Sequence, residues 1–271
     1  EVRHPVEPSK GGEGVKIVCW FSAGVTSAIA TKMMIEEYGS SSVDVVFFET
    51  GDHHPDNERF ISDCEKWFNH SVIILQHSDH DSIYSVFKKR QFIMSPYGAP
   101  CTLVLKKKMR EQYEKNNHFT HQVFGFEYEP KEMRRAERFI REYPHTNAFF
   151  PLIEAQITKE DALKVLEKNN IEPPVMYQLG YANNNCVGCV KGGMGYWNKI
   201  RIDFPHVFEK MAKLEREIGA TCLRANNERL FLDELDPNRG RMTLPYVESC
   251  GIFCEATHEG MEELNDQDSK D

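Results

Sequence analysis

The 271-residue chain has no apolar run near the roughly 18 residues that span a bilayer, so a membrane helix is not expected. Its first residues, EVRHPVEPSKGGEG, are polar and do not read as a secretory signal. These two absences point to a soluble, cytoplasmic protein with no membrane partner. Internal repeats and long linkers are also missing, which excludes an array architecture. Two phosphate-binding signatures are absent as well: there is no Gly-Lys-Ser/Thr at Walker A spacing and no G-x-G-x-x-G. Eight cysteines without a secretion signal argue against a disulfide scaffold and for thiol or metal chemistry.

Hydrophobic residues make up 40% of the chain, enough for a sizeable core in one large domain with an extension. The net charge of −9 is unevenly spread. Residues 86–141 carry 13 Lys/Arg against 6 Asp/Glu, whereas 255–271 carry 7 acids against Lys270 alone. A basic middle suits phosphate-rich ligands such as nucleotides or RNA, and equally a solvated helix face. The acidic end reads as a disordered, solubilising tail.

Strands and helices alternate along the first half. The run KIVCWF is followed by a helix from Ser27, SVDVVFFET by a helix over 55–69, and SVIILQ (71–76) by a helix over 82–92. A fourth helix, TLVLKKKMREQYEKNN, precedes the strand HQVFGF (121–126) and a helix over 130–142. This order predicts a doubly wound parallel sheet in a three-layer, Rossmann-like α/β fold. In the second half, TKEDALKVLEKN (158–169) opens with a capping box, and FPHVFEKMAKLEREIG is amphipathic. The expected organisation is a flexible 1–14, a nucleotide-binding core over 15–155, a helical cysteine-containing extension over 156–254, and a disordered 255–271.

The stretch KIVCWFSAGVTS joins a buried strand to a helix through Ser22-Ala23-Gly24. Small residues let the backbone approach an anion, and the helix start supplies amides and the positive end of its dipole. SAGVTS resembles the pyrophosphate loop (PP-loop) of adenine-nucleotide enzymes. Further pieces follow in order: FFETGDHHPDN, APCTLVLKK, PLIEAQITKEDALKVLEKNNIEPPVMYQLGY, NCVGC and ESCGI. Across about 16–256 the chain resembles the phosphoadenosine phosphosulfate (PAPS) reductase family, most nearly its phage and bacterial PAPS reductase-like branch.

The resemblance implies an adenine nucleotide, PAPS or ATP with or without Mg, whose phosphates lie on Ser22, Gly24, Thr26 and Ser27. It places the adenosine near Phe21, Glu49 and Thr50, with Gly125 at a further strand end. Thr26 stands where ATP-cleaving members carry the Asp that helps hold magnesium. Gly125-Phe126-Glu127 stands where the reductases carry Gly-x-Arg, so Arg134, Arg135 or Arg138 is the expected replacement cation.

Cys19 falls in the first strand, and Cys64 on the apolar stripe of Phe60, Ile61, Trp67 and Phe68; both read as core. Cys186-Val187-Gly188-Cys189 is a metal-type hairpin, and its glycine brings backbone amides near the sulfurs. It suits a cluster, a structural zinc or a redox dithiol. In the iron–sulfur sulfonucleotide reductases a Cys-Cys pair near the position of Cys101 completes a [4Fe–4S] site. Here only Cys101 is present, so the resemblance implies Cys101, Cys186 and Cys189, with Cys254 or Cys250 as a fourth ligand. Three ligands also resemble the open cluster of tRNA-thiolating PP-loop enzymes. Glu248-Ser249-Cys250-Gly251-Ile252 resembles the reductase tail whose cysteine attacks the sulfonyl sulfur; Phe253 replaces the final His, and Cys250 also suits a ligand or a spectator. Cys250 and Lys106 are the expected catalytic residues, and an external thiol donor such as thioredoxin the expected partner. KGGMGYWNKIR suits base stacking, or a loop folded over the metal site. Asp52, His53, His54 and Asp56 suit a divalent site, or a helix cap with exposed histidines. Three functions are in view: sulfonucleotide reduction, ATP-dependent nucleobase thiolation, and a non-catalytic nucleotide-binding module.

Overall fold

The structure, a computed structural model, describes residues 14–95 and 98–243. Their contacts form two compact units. The first takes in 14–49, 54–75 and 112–179; the second takes in 50–53, 76–111 (apart from 96 and 97) and 180–243.

A five-stranded sheet organises the first unit. Its strands are β1 (Ile17–Trp20), β2 (Val43–Glu49), β3 (Ile73–Gln76), β4 (His121–Val123) and β5 (Ala148–Phe149), in the order β3-β2-β1-β4-β5. β1 pairs in parallel with β2 and with β4, and β4 with β5. Strand order therefore reverses between β1 and β4, the switch point where ligands of doubly wound sheets bind. The strand over 121–126 ends at Val123, and β5, only two residues long, has no readable periodicity of its own.

Side chains alternate across the strands. Ile17, Cys19 and Phe21, with Val43, Val45 and Phe47, pack under α1 (Val25–Tyr38) and α2 (Asp56–Phe68). Cys19 and Cys64 are both buried there. On the opposite face the Trp20 ring stacks on Phe48 at 5.4 Å and meets Tyr113 edge-on at 6.2 Å. Gln122, a polar residue buried in β4, accepts from Trp20 Nε1 and donates to Glu114, both at 2.9 Å. Its burial is thereby satisfied.

The second unit holds α3 (Ile83–Arg90) and a helical run made of α4 (Pro100–Thr102), a π-helical stretch (Leu103–Lys107) and the start of α5 (Lys108–Asn116). Periodicity reads that run as one α-helix; the widened turn inside it is the difference. Back in the first unit lie α6 (Pro130–Glu142), α7 (Pro151–Glu154), α8 (Lys159–Lys168) and α9 (Val175–Gln178). The C-terminal part of the second unit is helical, with α10 (Met194–Asp203) and α11 (Pro205–Ile218), and adds an antiparallel hairpin of β6 (Leu223–Ala225) and β7 (Glu228–Leu230). Among the described residues no helix is long and apolar enough to cross a membrane.

Thr158 and Asp161 form the capping box of α8: Thr158 Oγ1 accepts the Asp161 N–H and Asp161 Oδ2 accepts the Thr158 N–H, each at 3.2 Å. Thr158→Ala removes one of these bonds and is expected to cost about 1 kcal/mol. In thermal melts the midpoint should fall by about 2–4 °C; an unchanged midpoint would show that the cap does not contribute.

Candidate functional site

The predicted phosphate loop lies in the first unit, directly after β1. Ala23 adopts a left-handed backbone (φ 54°), uncommon for a residue with a side chain, and Gly24 begins α1 in extended conformation. Ser27 ties the turn together. Its hydroxyl donates to the Gly24 carbonyl at 2.9 Å, accepts the Ser22 N–H at 3.1 Å and lies 3.0 Å from the Ser22 hydroxyl. The first turn of α1 has no side-chain cap and no acidic residue, so no carboxylate opposes an anion at its positive end. Ser22 is exposed and Thr26 half-buried.

Two neighbours shape this loop. The Tyr177 hydroxyl, from the YQLGY segment, accepts the Val25 N–H at 3.4 Å and would lie 3.3 Å from a Cβ on Gly24. That segment is moored to α2: Asp56 accepts the Val175 N–H at 2.9 Å, while Arg59 donates to the Glu172 and Pro173 carbonyls. Gly125, just past β4, passes so close to α1 that a Cβ there would stand 2.5 Å from Ser27 Cα and 2.6 Å from Ser27 N. Only glycine fits.

The other expected nucleotide residues are placed unequally. The Phe21 ring is in the core, 5.9 Å from Phe68 and 6.5 Å from Phe60, so only its backbone can face a ligand. Glu49 ends β2 half-buried. Glu127 is paired with Lys159 at 3.3 Å, and burial pushes its carboxyl up. Arg135 lies over the Phe126 ring at 4.2 Å and pairs with Glu132 at 3.1 Å; Arg134 is exposed. Of the two, Arg135 is the cation held against the Gly125-Phe126-Glu127 turn.

Thr50 belongs to the second unit, where its hydroxyl lies 3.0 Å from Cys186 Sγ. The turn it begins is tight: Gly51 has φ 79°, and a Cβ there would collide with the Asp81 carbonyl. The Asp52 carbonyl accepts the Val187 N–H at 2.8 Å, and its carboxylate accepts the Ile83 N–H at 2.6 Å at the start of α3. The CxxC hairpin is held from its other side by Tyr196, whose buried hydroxyl accepts the N–H groups of Gly188 (3.0 Å) and Cys189 (2.9 Å). These two amides point at Tyr196, not at the sulfurs as the glycine-containing loop had implied.

Cys101, Cys186 and Cys189 line one cavity of about 20 Å³, together with Thr50, Ile83, Thr102, Lys106 and Val190. Three thiols and no carboxylate or imidazole is a donor set that fits a thiophilic metal. Among the described residues, no three Cys, His, Asp or Glu side chains already meet at metal-binding distance. Binding would therefore need side-chain rotation within the cavity. Cys250 and Cys254 lie outside the described residues.

The structure decides two open readings. Tyr196 and Trp197 are buried on α10, Gly192 leaves room for the Tyr196 ring, and Gly195 for the Arg241 carbonyl. These aromatics form the wall of the CxxC hairpin, not a base-stacking surface. Asp52 and Asp56 are each spent on backbone amides, and the His54 ring accepts the Asp56 N–H at 3.1 Å. That is a capping arrangement. Cys222 carries no sequence motif; its N–H donates to the buried Glu215 carboxylate at 2.6 Å. Burial, and then Glu215, push its thiol well up, with Cys189 and Cys101 among the nearby charges it feels.

The model of the phosphoadenosine phosphosulfate reductase domain family matches residues 16–192, well over half of the chain. Among curated proteins, none matches. Two solved structures show distant likeness. One is a phosphoadenylyl-sulfate reductase from Candida auris in a phosphate complex, at 14% identity over 62% of this chain and 80% of that one, with a TM-score of 0.43. The other is the U34-tRNA thiolase NcsA from Methanococcus maripaludis with its [4Fe-4S] cluster, at 12% identity over 76% of this chain and 68% of that one, with a TM-score of 0.43. The chain belongs to the PAPS reductase domain family.

Burial raises the Asp52 carboxyl to about 6 from an ordinary 3.8, against the lowering pull of the Ile83 N–H and Lys210. Between these values the folded chain holds a proton that the unfolded chain releases, so this group's contribution to stability falls as pH rises from about 4 to about 6. Asp52→Asn keeps an acceptor for Ile83 and removes the slope. Urea midpoints of the two proteins across that range should diverge in favour of the variant as pH rises, then run parallel above about 7. A constant difference would place the Asp52 carboxyl at its ordinary value.

Proposed function

We propose that this chain is an adenine-nucleotide enzyme of sulfur metabolism that reduces a sulfonucleotide. The observation that carries the reading is the Ser22–Ser27 cradle at the β1/β4 switch point, in a chain of the PAPS reductase domain family. The amide-rich, acid-free start of α1 takes the phosphates, with hydroxyls from Ser22, Thr26 and Ser27. Gly125 lets the end of β4 close on the loop, and Tyr177 sets the loop's first amide. Arg135, held over the Phe126 ring, is the cation assigned in this reading to the sulfonate end of the ligand.

In this reading the Cys250 thiolate attacks the sulfonyl sulfur. The bond from sulfur to the phosphate oxygen breaks, and the nucleotide leaves with the electron pair. An external dithiol then reduces the cysteine–sulfonate adduct, releasing sulfite and restoring Cys250, while the donor becomes a disulfide. Thr26, in place of a magnesium-binding Asp, supports a reaction that leaves the nucleotide's phosphodiester chemistry alone. Cys101, Cys186 and Cys189 would hold a [4Fe–4S] cluster or a zinc ion, with Lys106 offsetting thiolate charge. The ion-sized cavity has room for zinc once the thiols turn into it, and a cubane requires the hairpin side chains to part. When bound, such a centre supplies a fixed local charge field and ties the hairpin to the Cys101 helix.

A second reading, ATP-dependent thiolation of a nucleobase, is favoured by one observation: among the described residues, three thiols share the cavity. Anaerobic incubation with PAPS or with ATP, with products resolved by mass spectrometry, separates the readings. Sulfite and adenosine 3′,5′-bisphosphate are expected from PAPS. AMP and pyrophosphate formed only with RNA would replace reduction by thiolation, and tight binding without turnover would leave a nucleotide-binding module. Cys250→Ser is expected to abolish sulfite release and leave nucleotide affinity within about twofold; a variant that still releases sulfite would remove Cys250 as nucleophile.

A further inference from the structure

The β6–β7 hairpin of the second unit sets two arginines against each other. Its turn is Asn226-Asn227, both in the left-handed backbone region (φ 51° and 66°), the two-residue turn that fixes hairpin register. That register places Arg224 directly opposite Arg229 and Leu223 opposite Leu230. Leu223 is buried, so the arginine pair lies on the other face of the hairpin. Opposed side chains in such a pair have Cβ atoms about 5 Å apart, and like charges there repel. Among the described residues neither guanidinium meets a carboxylate. Arg229 Nη1 donates to the Gly219 carbonyl, at the C-terminal end of α11, at 2.5 Å. That bond pins one arm of its fork and leaves the others open. Two guanidiniums held side by side suit one shared anion, which replaces their repulsion with paired, charge-assisted hydrogen bonds.

These arginines line a cavity of about 440 Å³, in the size range that takes a small organic ligand. One wall is the hairpin, through Cys222, Arg224 and Arg229; the other is the segment after α3. In that segment Ile93 is fully buried, while Phe92 and Met94 on either side of it are half-buried and line the cavity. None of the described lining residues is acidic. The cavity thus joins two exposed cations to an aromatic ring and a polarisable thioether. Such a lining suits a ligand with a phosphate at one end and a planar, apolar body at the other. Its walls are preset. Glu215, fully buried on α11, accepts the Cys222 N–H at 2.6 Å and the Leu232 N–H at 2.7 Å, tying both ends of the hairpin through one side chain. A preformed site gives up little freedom on binding.

We infer that this cavity is a binding site for an organic phosphate of mononucleotide size. Arg224 and Arg229 fork the phosphate, and the planar body lies against Phe92 and Met94. Every described lining residue belongs to the second unit, and none belongs to the Ser22–Ser27 cradle. The inference therefore does not depend on the reaction proposed above.

Selective ¹³C labelling of the methionine methyl groups in the full chain tests this, with AMP as the probe. The Met94 resonance, assigned by its loss in Met94→Leu, reports on this cavity and not on the cradle. AMP is expected to shift it saturably, through the ring current of the bound base. Arg224→Thr should weaken that binding at least about tenfold, the scale of a lost charge-assisted hydrogen bond. It should melt no lower than wild type, because threonine suits a strand and the like-charge pair is relieved. Should Arg224→Thr fail to fold, Arg224→Lys keeps the charge without the fork and should weaken AMP severalfold. Adenosine and inorganic phosphate should each bind more weakly than AMP. A Met94 resonance unmoved by millimolar AMP would overturn the site. So would AMP affinity at Met94 that is unchanged in both the folded Arg224 variant and Arg229→Gln. Inorganic phosphate binding as tightly as AMP would overturn the role given to Phe92 and Met94.

Discussion

The first unit's site depends on one steric constraint: the end of β4 touches the backbone of the first turn of α1. A Cβ on Gly125 would stand within 2.6 Å of both Ser27 N and Ser27 Cα, where real side-chain carbons do not go. Because the strand comes that close, the end of β4 packs directly on the first turn of α1, beside the loop. The hydroxyl of Ser27 can then serve the loop, holding Ser22 and Gly24 together, instead of spanning a gap. A phosphate cradle made of short side chains and amides works only if its walls are fixed. Here they are fixed by packing rather than by charge.

Mooring from outside the loop completes it. Asp56 and Arg59, on the first turn of α2, grip the 172–175 turn through backbone groups, and the Asp56 carboxyl is held below its usual range by Arg59. That grip delivers the Tyr177 hydroxyl to the first amide of α1. The PP-loop and the YxLGY segment are thus physically linked: the tyrosine meets an amide that no side chain of the loop caps. The second unit follows the same logic, with Tyr196 taking up the amides of the CxxC hairpin and Glu215 those flanking the β6–β7 hairpin. Buried polar atoms with committed partners turn loops into scaffolds.

What could be read in the sequence follows from where the determinants lie. α6 carries Pro at its first position and α8 its capping box, so local chemistry marks them. The central strands β1 and β2 are long apolar runs, and the order of alternating elements gives the parallel sheet. β5 escapes because two residues have no period. The π-turn escapes because Leu103–Lys107 is as helical in composition as its flanks, and only packing widens it. Residues 192–197 were misleading in one respect. Their glycines are punctuation in a sequence, yet here two of them make room for a ring and a carbonyl, and the segment from Met194 is a buried helix. Cys222 carries no motif at all, and its tie to Glu215, seven residues earlier, is visible only in the fold.

The position of Thr26 bears on which reaction the proposed site supports. Splitting ATP requires a bound magnesium to neutralise charge on the leaving pyrophosphate, and a threonine hydroxyl is a poor substitute for a carboxylate in that task. Reduction at a sulfonyl sulfur does not require it. In the proposed reaction the leaving group is a nucleotide, and the attacking electrons come from a thiol. The departures that weaken the case for nucleotide cleavage are therefore the ones that a sulfonucleotide reductase tolerates without loss.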